Sequence, residues 1–324
     1  GTYGCFGASN FPLAFSVAGG DTLSALAAGC PVIFKAHPAH PNTSDLVGQA
    51  IQQAAKKTNM PDGVFSLLHA QGHEIGGYLV THPMTKAVAF TGSTRGGKAI
   101  FDLAVRREVP IPVYAEMGSI NPVYVFSGRI QAQGESLADA FSQSICMGVG
   151  QFCTNPGLLI IQEKDQAFLT ELAQKLDQIP LGTFLTAGIK QAFEHGFNTL
   201  KHHPATQRIT ASENPAPSLF STTAKEALAH TEVLEEVFGP CTLAVICKDL
   251  AEMIAFTEQL PGQLTATIQA EPSDLANLDE LIDEVSQKVG RMLLNGFPTG
   301  VEVSPAMVHG GPFPATSDAR STSV

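Results

Sequence analysis

One cysteine of this chain lies in a sequence context that suits a nucleophile. Cys153 belongs to the run Gly150-Gln151-Phe152-Cys153-Thr154-Asn155-Pro156, in which glycine and proline bound a predicted turn. An accessible thiol beside backbone N–H groups favours the thiolate, which is the form that attacks a carbonyl carbon. The same run also fits a small structural cysteine that only fills space. The run by itself therefore leaves both interpretations open.

Two further polar residues follow predicted strands. Glu116, in Tyr114-Ala115-Glu116-Met117-Gly118-Ser119, could serve as a general base if it faces a cleft. The alternative is a solvated loop carboxylate. Asn10 follows the first predicted strand, where its side-chain amide could donate to an oxyanion. Asparagine before an aromatic residue and a proline is also common in turns. The local sequence does not decide between these two interpretations of Asn10.

A possible phosphate site lies in Phe90-Thr91-Gly92-Ser93-Thr94-Arg95-Gly96-Gly97, which joins a predicted strand to a predicted helix. Small residues there, including Gly92, Ser93 and Gly97, let backbone N–H groups and the helix N-terminus approach a pyrophosphate. The run lacks the G-x-G-x-x-G spacing, so an ordinary strand-to-helix turn is equally compatible with it.

Composition limits the classes of partner. The chain has 324 residues and a formal net charge of -11, so no basic surface is available to neutralise a nucleic acid backbone. The six cysteines are scattered without a C-x-x-C pair, which is typical of reduced thiols in a cytoplasmic protein. The longest apolar stretch, 11–34, carries Asp21, glycines and prolines, and we expect no membrane-spanning segment. The chain opens in a strand-like run without methionine or a signal peptide, so we expect a fragment.

Short β-rich runs alternate with amphipathic stretches along the chain, which predicts an α/β fold with two lobes around a cleft. In the first lobe, strands are predicted at 2–7, 31–35, 64–68 and 87–91, and helices at 17–28, 43–57, 73–80 and 94–106. In the second lobe, helices are predicted at 137–147, 165–178, 189–200, 250–258 and 274–289, and strands at 123–126, 158–161, 242–246, 264–269 and 291–294.

Taken together, the motifs around Asn10, Gly92-Ser93, Glu116 and Cys153 occur in the order and at the spacing of the aldehyde dehydrogenase superfamily, which the chain resembles from end to end. Glu235-Glu236-Val237-Phe238-Gly239-Pro240 resembles the family's nicotinamide-ribose motif. The resemblance implies an α/β fold with a Rossmann-type cofactor lobe, residues 1–112 and incomplete at its N-terminus, and an α/β catalytic lobe, residues 113–324. From the resemblance we also expect the family's C-terminal oligomerisation arm to lie outside this chain.

Within the superfamily, four segments look most like an NADP-using branch: 7–12, 30–38, 299–303 and 307–312. That branch contains the α-ketoglutaric semialdehyde and bacterial fatty aldehyde dehydrogenases. A carboxylate-bearing semialdehyde is the expected substrate and a long-chain aldehyde the alternative. The resemblance implies a cytoplasmic protein whose full-length form is a homo-oligomer, either dimer or tetramer.

The resemblance also implies roles for individual residues. Cys153 would form a thiohemiacetal and then a thioester, with Asn10 and the Cys153 N–H holding the oxyanion. Glu116 would activate water to release the acid. The predicted cofactor-binding residues are Lys35, Gly92, Ser93, Gly97, Glu236 and Phe238, with no metal. Many NAD-selective members have a glutamate where this chain has Pro38, so NADP is the expected cofactor and NAD remains possible.

Three other classes are weighed against this assignment. In a CoA-acylating aldehyde dehydrogenase a thiol cofactor rather than water takes the acyl group. Such an enzyme does not need the general base, so Glu116 argues against that class. An inactive nucleotide-binding fragment is disfavoured by intact Cys153, Glu116 and Asn10, and a cysteine hydrolase would need a histidine that no local motif supplies. His37 and His40 lack a third ligand nearby for zinc. His202 and His203 are expected on a solvated helix end.

Overall fold

The computed structural model describes residues 1–300 and 307–318. Two compact units divide these residues: the first holds Gly1–Gly118 and 307–318, and the second holds 119–300. Both contain parallel sheets flanked by helices, which confirms the predicted α/β class. The predicted motif within 299–303 lies partly outside the described residues. Among the described residues, none of the helices combines the length and hydropathy that a bilayer crossing requires.

The first unit has five strands and four helices in its described residues. The strands are β1 Thr2–Phe6, β2 Val32–Lys35, β3 Phe65–Leu68, β4 Thr85–Thr91 and β5 Val113–Glu116, and the helices are α1 Gly20–Ala27, α2 Pro41–Lys57, α3 Glu74–Thr81 and α4 Thr94–Val105.

All neighbouring strands of this sheet are parallel, in the order β3-β2-β1-β4-β5. Side chains alternate between its faces, so Cys5 packs into one apolar cluster and Phe6 into another. The order reverses direction at β1, which pairs with both β2 and β4. In open parallel sheets, ligands bind at the carboxyl ends of the strands beside such a reversal.

The second unit carries seven strands and seven α-helices in its described residues. The strands are β6 Pro122–Val125, β7 Leu158–Gln162, β8 Gln207–Arg208, β9 Ser218–Thr223, β10 Cys241–Cys247, β11 Gln263–Gln269 and β12 Val289–Leu294. The helices are α5 Ser127–Cys146, α6 Ala167–Asp177, α7 Ala187–His202, α8 Ala224–Ala229, α9 Leu250–Gln259, α10 Pro272–Leu275 and α11 Asp279–Lys288.

These strands form one sheet in the order β12-β11-β6-β7-β10-β9-β8, antiparallel only between β8 and β9. Apolar clusters cover both faces, so Leu158 and Ile160 contact one cluster while Leu159 and Ile161 contact the other. A strand buried on both faces reads as a continuous apolar run, as Leu158–Gln162 does.

Some elements differ from the sequence prediction. A strand was expected before Glu116 but without bounds, and it is the short β5. The strands β8 and β9 were not predicted, since β8 has two residues and β9 is rich in serine and threonine, yet β9 is buried in the sheet. The helix predicted over 274–289 is two helices, and Asp274 accepts hydrogen bonds from backbone N–H groups at the start of α5. β5 pairs with β4, and the first compact unit includes Gly118, whereas the predicted division into lobes at residue 112 stays a prediction. The assignment of the units to cofactor binding and catalysis stays a prediction.

Candidate functional site

Cys153 follows a left-handed turn in the second unit. The 3-10 helix Met147–Gly150 precedes it, and Gly148, Val149 and Gly150 have φ values of 55°, 60° and 65°. Valine rarely adopts this backbone conformation, and strain of this kind concentrates at functional sites. The Cys153 side chain is partly exposed. The turn therefore presents an accessible thiol from a constrained backbone.

Gly150 is required by a close backbone approach. A Cβ atom there would lie 2.2 Å from the carbonyl carbon of Gly239. Asn155 adds a second link, because its Nδ2 donates to the Gly239 carbonyl over 3.0 Å. The chain around Cys153 is thus packed directly against the segment that carries Glu236 and Phe238.

Asn121 holds the backbone on the other side of Cys153. Its Nδ2 donates to the carbonyl oxygens of Cys153 and Asn155, each over 2.9 Å. Its Oδ1 accepts from the hydroxyls of Ser119 at 2.9 Å and Thr265 at 3.0 Å. Asn121 is fully buried and has a φ of 46°, which asparagine tolerates better than most residues. This network fixes the orientation of the peptide that carries the thiol.

Gln151 supports the turn before the cysteine. Its Nε2 donates to the Gly148 carbonyl over 2.8 Å, and its Oε1 accepts from the Leu185 N–H over 2.9 Å. The side chain is buried, with 9% exposure. A buried amide paired through both ends stabilises one conformation of the loop.

Arg291 interacts electrostatically with Cys153. It pairs in register with Thr265 across β11 and β12, and Thr265 bonds to Asn121. Burial lowers the pKa of Arg291, and the interaction with the Cys153 thiolate opposes that shift. Arg129, in contrast, forms an ion pair with Glu271 at 2.7 Å. Of these two arginines, Arg291 is the one placed to act on a charge near the thiol.

Glu236 and Phe238 line a recess of the second unit, together with Ser119 and Asn155. The recess holds about 20 Å³, which is room for one water molecule. Glu236 keeps solvent access, but loss of hydration in the recess raises the pKa of its carboxyl to about 8. The Ser119 N–H donates to this carboxylate and favours the ionised form.

Glu116 ends β5 in the first unit and is 2% exposed. Residues 307–318 run beside it: the Met117 N–H donates to the Ala315 carbonyl over 2.7 Å, and Glu116 forms an isolated bridge with Thr316. This arrangement brings His309 Nε2 to 3.4 Å from Glu116 Oε1. The predicted general base is therefore buried and in contact with a histidine.

The remaining predicted residues of the first unit lie at the carboxyl ends of its strands. Asn10 follows β1, Lys35 ends β2, and Gly92 and Ser93 follow β4. Ser93 Oγ accepts from the Gly96 N–H over 3.2 Å and so caps α4. No acidic residue occupies the first turn of α4.

Gly97 has a packing role in this structure. A Cβ atom there would lie 2.5 Å from Met117 Cγ, so glycine lets α4 approach the end of β5. Close contact between helix and strand is one of the functions of glycine in dinucleotide-binding turns. The direct contribution of Gly97 to cofactor binding stays a prediction.

Lys35 begins a basic group at the end of β2. His37 and His40 stack with ring centroids 5.4 Å apart, and His40 Nε2 lies 2.9 Å from the Ala8 carbonyl oxygen. Burial, His40 and Lys35 lower the pKa of His37 to about 4. Within the described residues, no carboxylate pairs with Lys35. The Lys35 ammonium, which has no acidic partner there and lies beside two imidazole rings, favours an anion.

The predicted site residues divide between the two units. Asn10, Lys35, Gly92, Ser93, Gly97 and Glu116 belong to the first, and Cys153, Glu236 and Phe238 belong to the second. The sequence analysis gave no role to Asn121, Gln151 or His309. Asn121 precedes Pro122 and Gln151 lies two residues before Cys153, but only the fold pairs Asn121 with the Cys153 carbonyl.

Comparison with known proteins matches residues 1–312 to a family described as "Aldehyde dehydrogenase family". The chain is 53% identical to alpha-ketoglutaric semialdehyde dehydrogenase 2 of Azospirillum brasilense, over 98% of this chain and 62% of that protein. It is 46% identical to alpha-ketoglutaric semialdehyde dehydrogenase of Acinetobacter baylyi, over 100% of this chain and 63% of that protein. The chain thus spans less than two thirds of the length of these relatives.

Among solved structures, a variant of 1-pyrroline-5-carboxylate dehydrogenase from Thermus thermophilus superimposes with a TM-score of 0.80 at 22% identity. The match covers 100% of this chain and 63% of that chain. At this identity the likeness concerns the fold, and it agrees with the α/β architecture described above.

Proposed function

The chain belongs to the aldehyde dehydrogenase family, and from that premise we propose that it carries the chemistry for oxidising an aldehyde to a carboxylic acid with NAD(P). The observation that carries the proposal is the Cys153 turn. An accessible thiol there combines a left-handed backbone with a carbonyl fixed by Asn121. Preorganisation of this kind suits a nucleophile and has no function in a cysteine that only fills space.

In the proposed mechanism, the Cys153 thiolate attacks the aldehyde carbon and forms a thiohemiacetal. The Asn10 amide and the Cys153 N–H donate to the resulting oxyanion. When bound, NAD(P) would supply the hydride acceptor, and loss of a hydride from the thiohemiacetal carbon would leave a thioester on Cys153. Glu116 then takes a proton from water, the water oxygen attacks the thioester carbon, and the thiolate leaves as the carboxylic acid forms.

The first unit has features that fit a dinucleotide. The strand order reverses at β1, and the exposed Gly92-Ser93 turn begins a helix whose first turn carries no acidic residue. Ser93 and this N-terminus would hold the pyrophosphate, and Lys35 the adenosine ribose. Glu236 and Phe238 would hold the nicotinamide riboside.

NADP is the proposed cofactor, because the basic group at the end of β2 suits a 2′-phosphate. Lys35 lacks an acidic partner among the described residues, and Pro38 adds no negative charge beside it. A 2′-phosphate would pair with the Lys35 ammonium and would raise the pKa of His37, which burial, His40 and Lys35 lower.

A short aldehyde with a terminal carboxylate is the proposed substrate, as α-ketoglutaric semialdehyde is. Two relatives with 53% and 46% identity are named for that substrate. Arg291 interacts electrostatically with Cys153 in the same unit, so it is placed to bind a carboxylate a few bonds from the reacting carbon. A cytoplasmic location and a homo-oligomeric full-length protein stay predictions.

The first experiment compares parent and Cys153→Ala proteins for formation of reduced nicotinamide with α-ketoglutaric semialdehyde. We expect a loss of at least about a thousandfold, because the alanine variant cannot form the thiohemiacetal. The full-length protein is measured in parallel, as is Cys146→Ala, which removes a partly buried cysteine of α5. Equal rates for the parent and Cys153→Ala full-length proteins would rule out the proposed nucleophile.

The substrate proposal is tested with Arg291→Gln. Its kcat/KM for the carboxylated aldehyde should fall about 10- to 100-fold, because a charge-assisted hydrogen bond is lost. Propanal, which has no carboxylate, should be affected much less. Arg129→Gln is the matched control, since Arg129 is paired with Glu271. Equal losses with both aldehydes would indicate that Arg291 acts on the thiol rather than on the substrate. Preference for a long-chain aldehyde would favour the fatty aldehyde alternative.

A further inference from the structure

Two histidines and a glutamate meet on the surface of the second unit. His203 follows α7, whereas His230 and Glu232 lie around the start of the 3-10 helix Thr231–Leu234. His203 Nε2 lies 3.0 Å from Glu232 Oε1, and His230 Nδ1 lies 3.6 Å from the same oxygen. One donor atom from each residue lies within 4.8 Å of the other two.

These spacings suit a tetrahedral cation. Zinc binds imidazole nitrogen at about 2.0–2.1 Å and carboxylate oxygen at about 2.0–2.2 Å, which places neighbouring ligand atoms about 3.3 Å apart. The two separations from Glu232 Oε1, 3.0 Å and 3.6 Å, bracket that value, and side-chain rotation would bring the third, which is within 4.8 Å, to it. Imidazole and carboxylate are also ligands that zinc accepts in proteins.

The charges around the cluster favour a cation. Glu226 Oε2 lies 3.8 Å from His230 Nε2, so two carboxylates flank two imidazoles. Among the described residues, no lysine or arginine pairs with Glu226 or Glu232. When both rings are neutral, the group carries two negative charges that a divalent ion would balance.

The second nitrogen of each ring bears on metal binding. If His230 binds through Nδ1, its Nε2 carries the ring proton and faces Glu226 Oε2 at 3.8 Å. Carboxylates often accept a hydrogen bond from the second nitrogen of a metal-binding histidine. His203 Nδ1 accepts from the Ala205 N–H over 3.2 Å, and binding through Nε2 would move the ring proton to Nδ1 and break this bond. Zinc would also replace the hydrogen bond between His203 Nε2 and Glu232 Oε1 at 3.0 Å, so these two hydrogen bonds are the local cost.

We propose that His203, His230 and Glu232 form a zinc site in which Glu226 orients His230. The ion would link the end of α7 to the segment 230–239, which carries Glu236 and Phe238. The body of α7 already packs against that segment, since a Cβ atom at Gly239 would lie 2.3 Å from the Phe193 ring. Zinc would therefore stabilise the segment at a second point.

The test is a zinc chloride titration, followed by calorimetry, of the protein with Cys153→Ala, because a free thiol is itself a zinc ligand. We expect one equivalent to bind and His230→Gln to weaken binding at least about tenfold. Glu232→Gln is the second variant. His202→Gln is the matched control, because His202 is the exposed neighbour of His203. Melting curves without metal establish that each variant is folded.

Two readouts separate a metal site from a hydrogen-bonded cluster of the same residues. Zinc should raise the melting temperature of the Cys153→Ala protein and of His202→Gln, but not that of His230→Gln. Cobalt should give the visible absorption of a tetrahedral complex that His230→Gln and Glu232→Gln lack. Binding of equal strength in folded His230→Gln and Glu232→Gln, or no binding by the Cys153→Ala protein, would overturn the proposal.

Discussion

At the residue scale, the side chains that hold Cys153 matter as much as the thiol. Asn121 bonds to the carbonyls of Cys153 and Asn155 and accepts from Ser119 and Thr265. None of these contacts reaches a reacting atom in the proposed mechanism. Asn121 is therefore a positioning residue, and its effect should appear in stability as well as in rate.

Asn121→Ala is expected to lower the free energy of unfolding by about 3 kcal/mol, because two buried carbonyls and two hydroxyls lose a partner. We also expect a lower kcat with little change in KM, since the thiol is less well oriented while binding groups remain. Urea unfolding and steady-state kinetics measure the two effects.

Asn59→Ala is the matched control for this variant. Asn59 also has a positive φ, 53°, but it is exposed and follows α2. Its substitution removes an asparagine from a left-handed position without breaking the network at Cys153. A kcat of Asn121→Ala equal to that of the parent would contradict the positioning role.

At the element scale, the turn Met147–Gly150 is where local conformation is most demanding. Gly150→Ala combines a positive φ with an overlap against Gly239, so we expect more than about 3 kcal/mol of lost stability, or failure to fold. Gly29→Ala, at φ 76° with no atom near the added methyl, should cost only about 1–2 kcal/mol. Chemical denaturation measures the free energy of unfolding of both variants. Equal losses for Gly150→Ala and Gly29→Ala would show that the packing of Gly150 against Gly239 is unimportant.

The sequence predicted most elements because their apolar periodicity is strong, as in Leu158–Gln162. It missed Ser218–Thr223, since a strand rich in hydroxyl groups is recognised only by its neighbours β8 and β10. For the candidate site, each sequence motif supplied a predicted residue. The contacts of Asn121 with Cys153 and of His309 with Glu116, however, join residues 32 or more positions apart in the chain. Such contacts depend on sheet order, which local patterns do not specify.

At the scale of the whole molecule, the net charge of -11 opposes any phosphate ligand. Binding of a phosphorylated cofactor must therefore depend on local basic groups. Lys35, His37 and His40 lie together at the end of β2, and His37 can gain charge when an anion binds beside it. Its pKa of about 4 leaves the ring neutral at pH 7.

A 2′-phosphate beside His37 would raise the pKa of its ring above about 4, so NADP binding should take up a proton and tighten as the pH falls from the raised pKa towards about 4. At a concentration of about 100 times Kd, NADP should stabilise the fold by about 2.7 kcal/mol, and NAD at the same concentration by less. His37→Gln should reduce the difference between the stabilisation by NADP and that by NAD, and it should weaken the pH dependence of NADP binding.

His82→Gln is the control for this variant, because it changes an exposed histidine of the same unit. It should leave both the difference in stabilisation and the pH dependence unchanged. Thermal unfolding and calorimetry in buffers of different ionisation enthalpy measure these effects without relying on turnover. If folded His37→Gln keeps the full difference in stabilisation between NADP and NAD, His37 does not recognise the 2′-phosphate. Lys35 alone must then account for that difference.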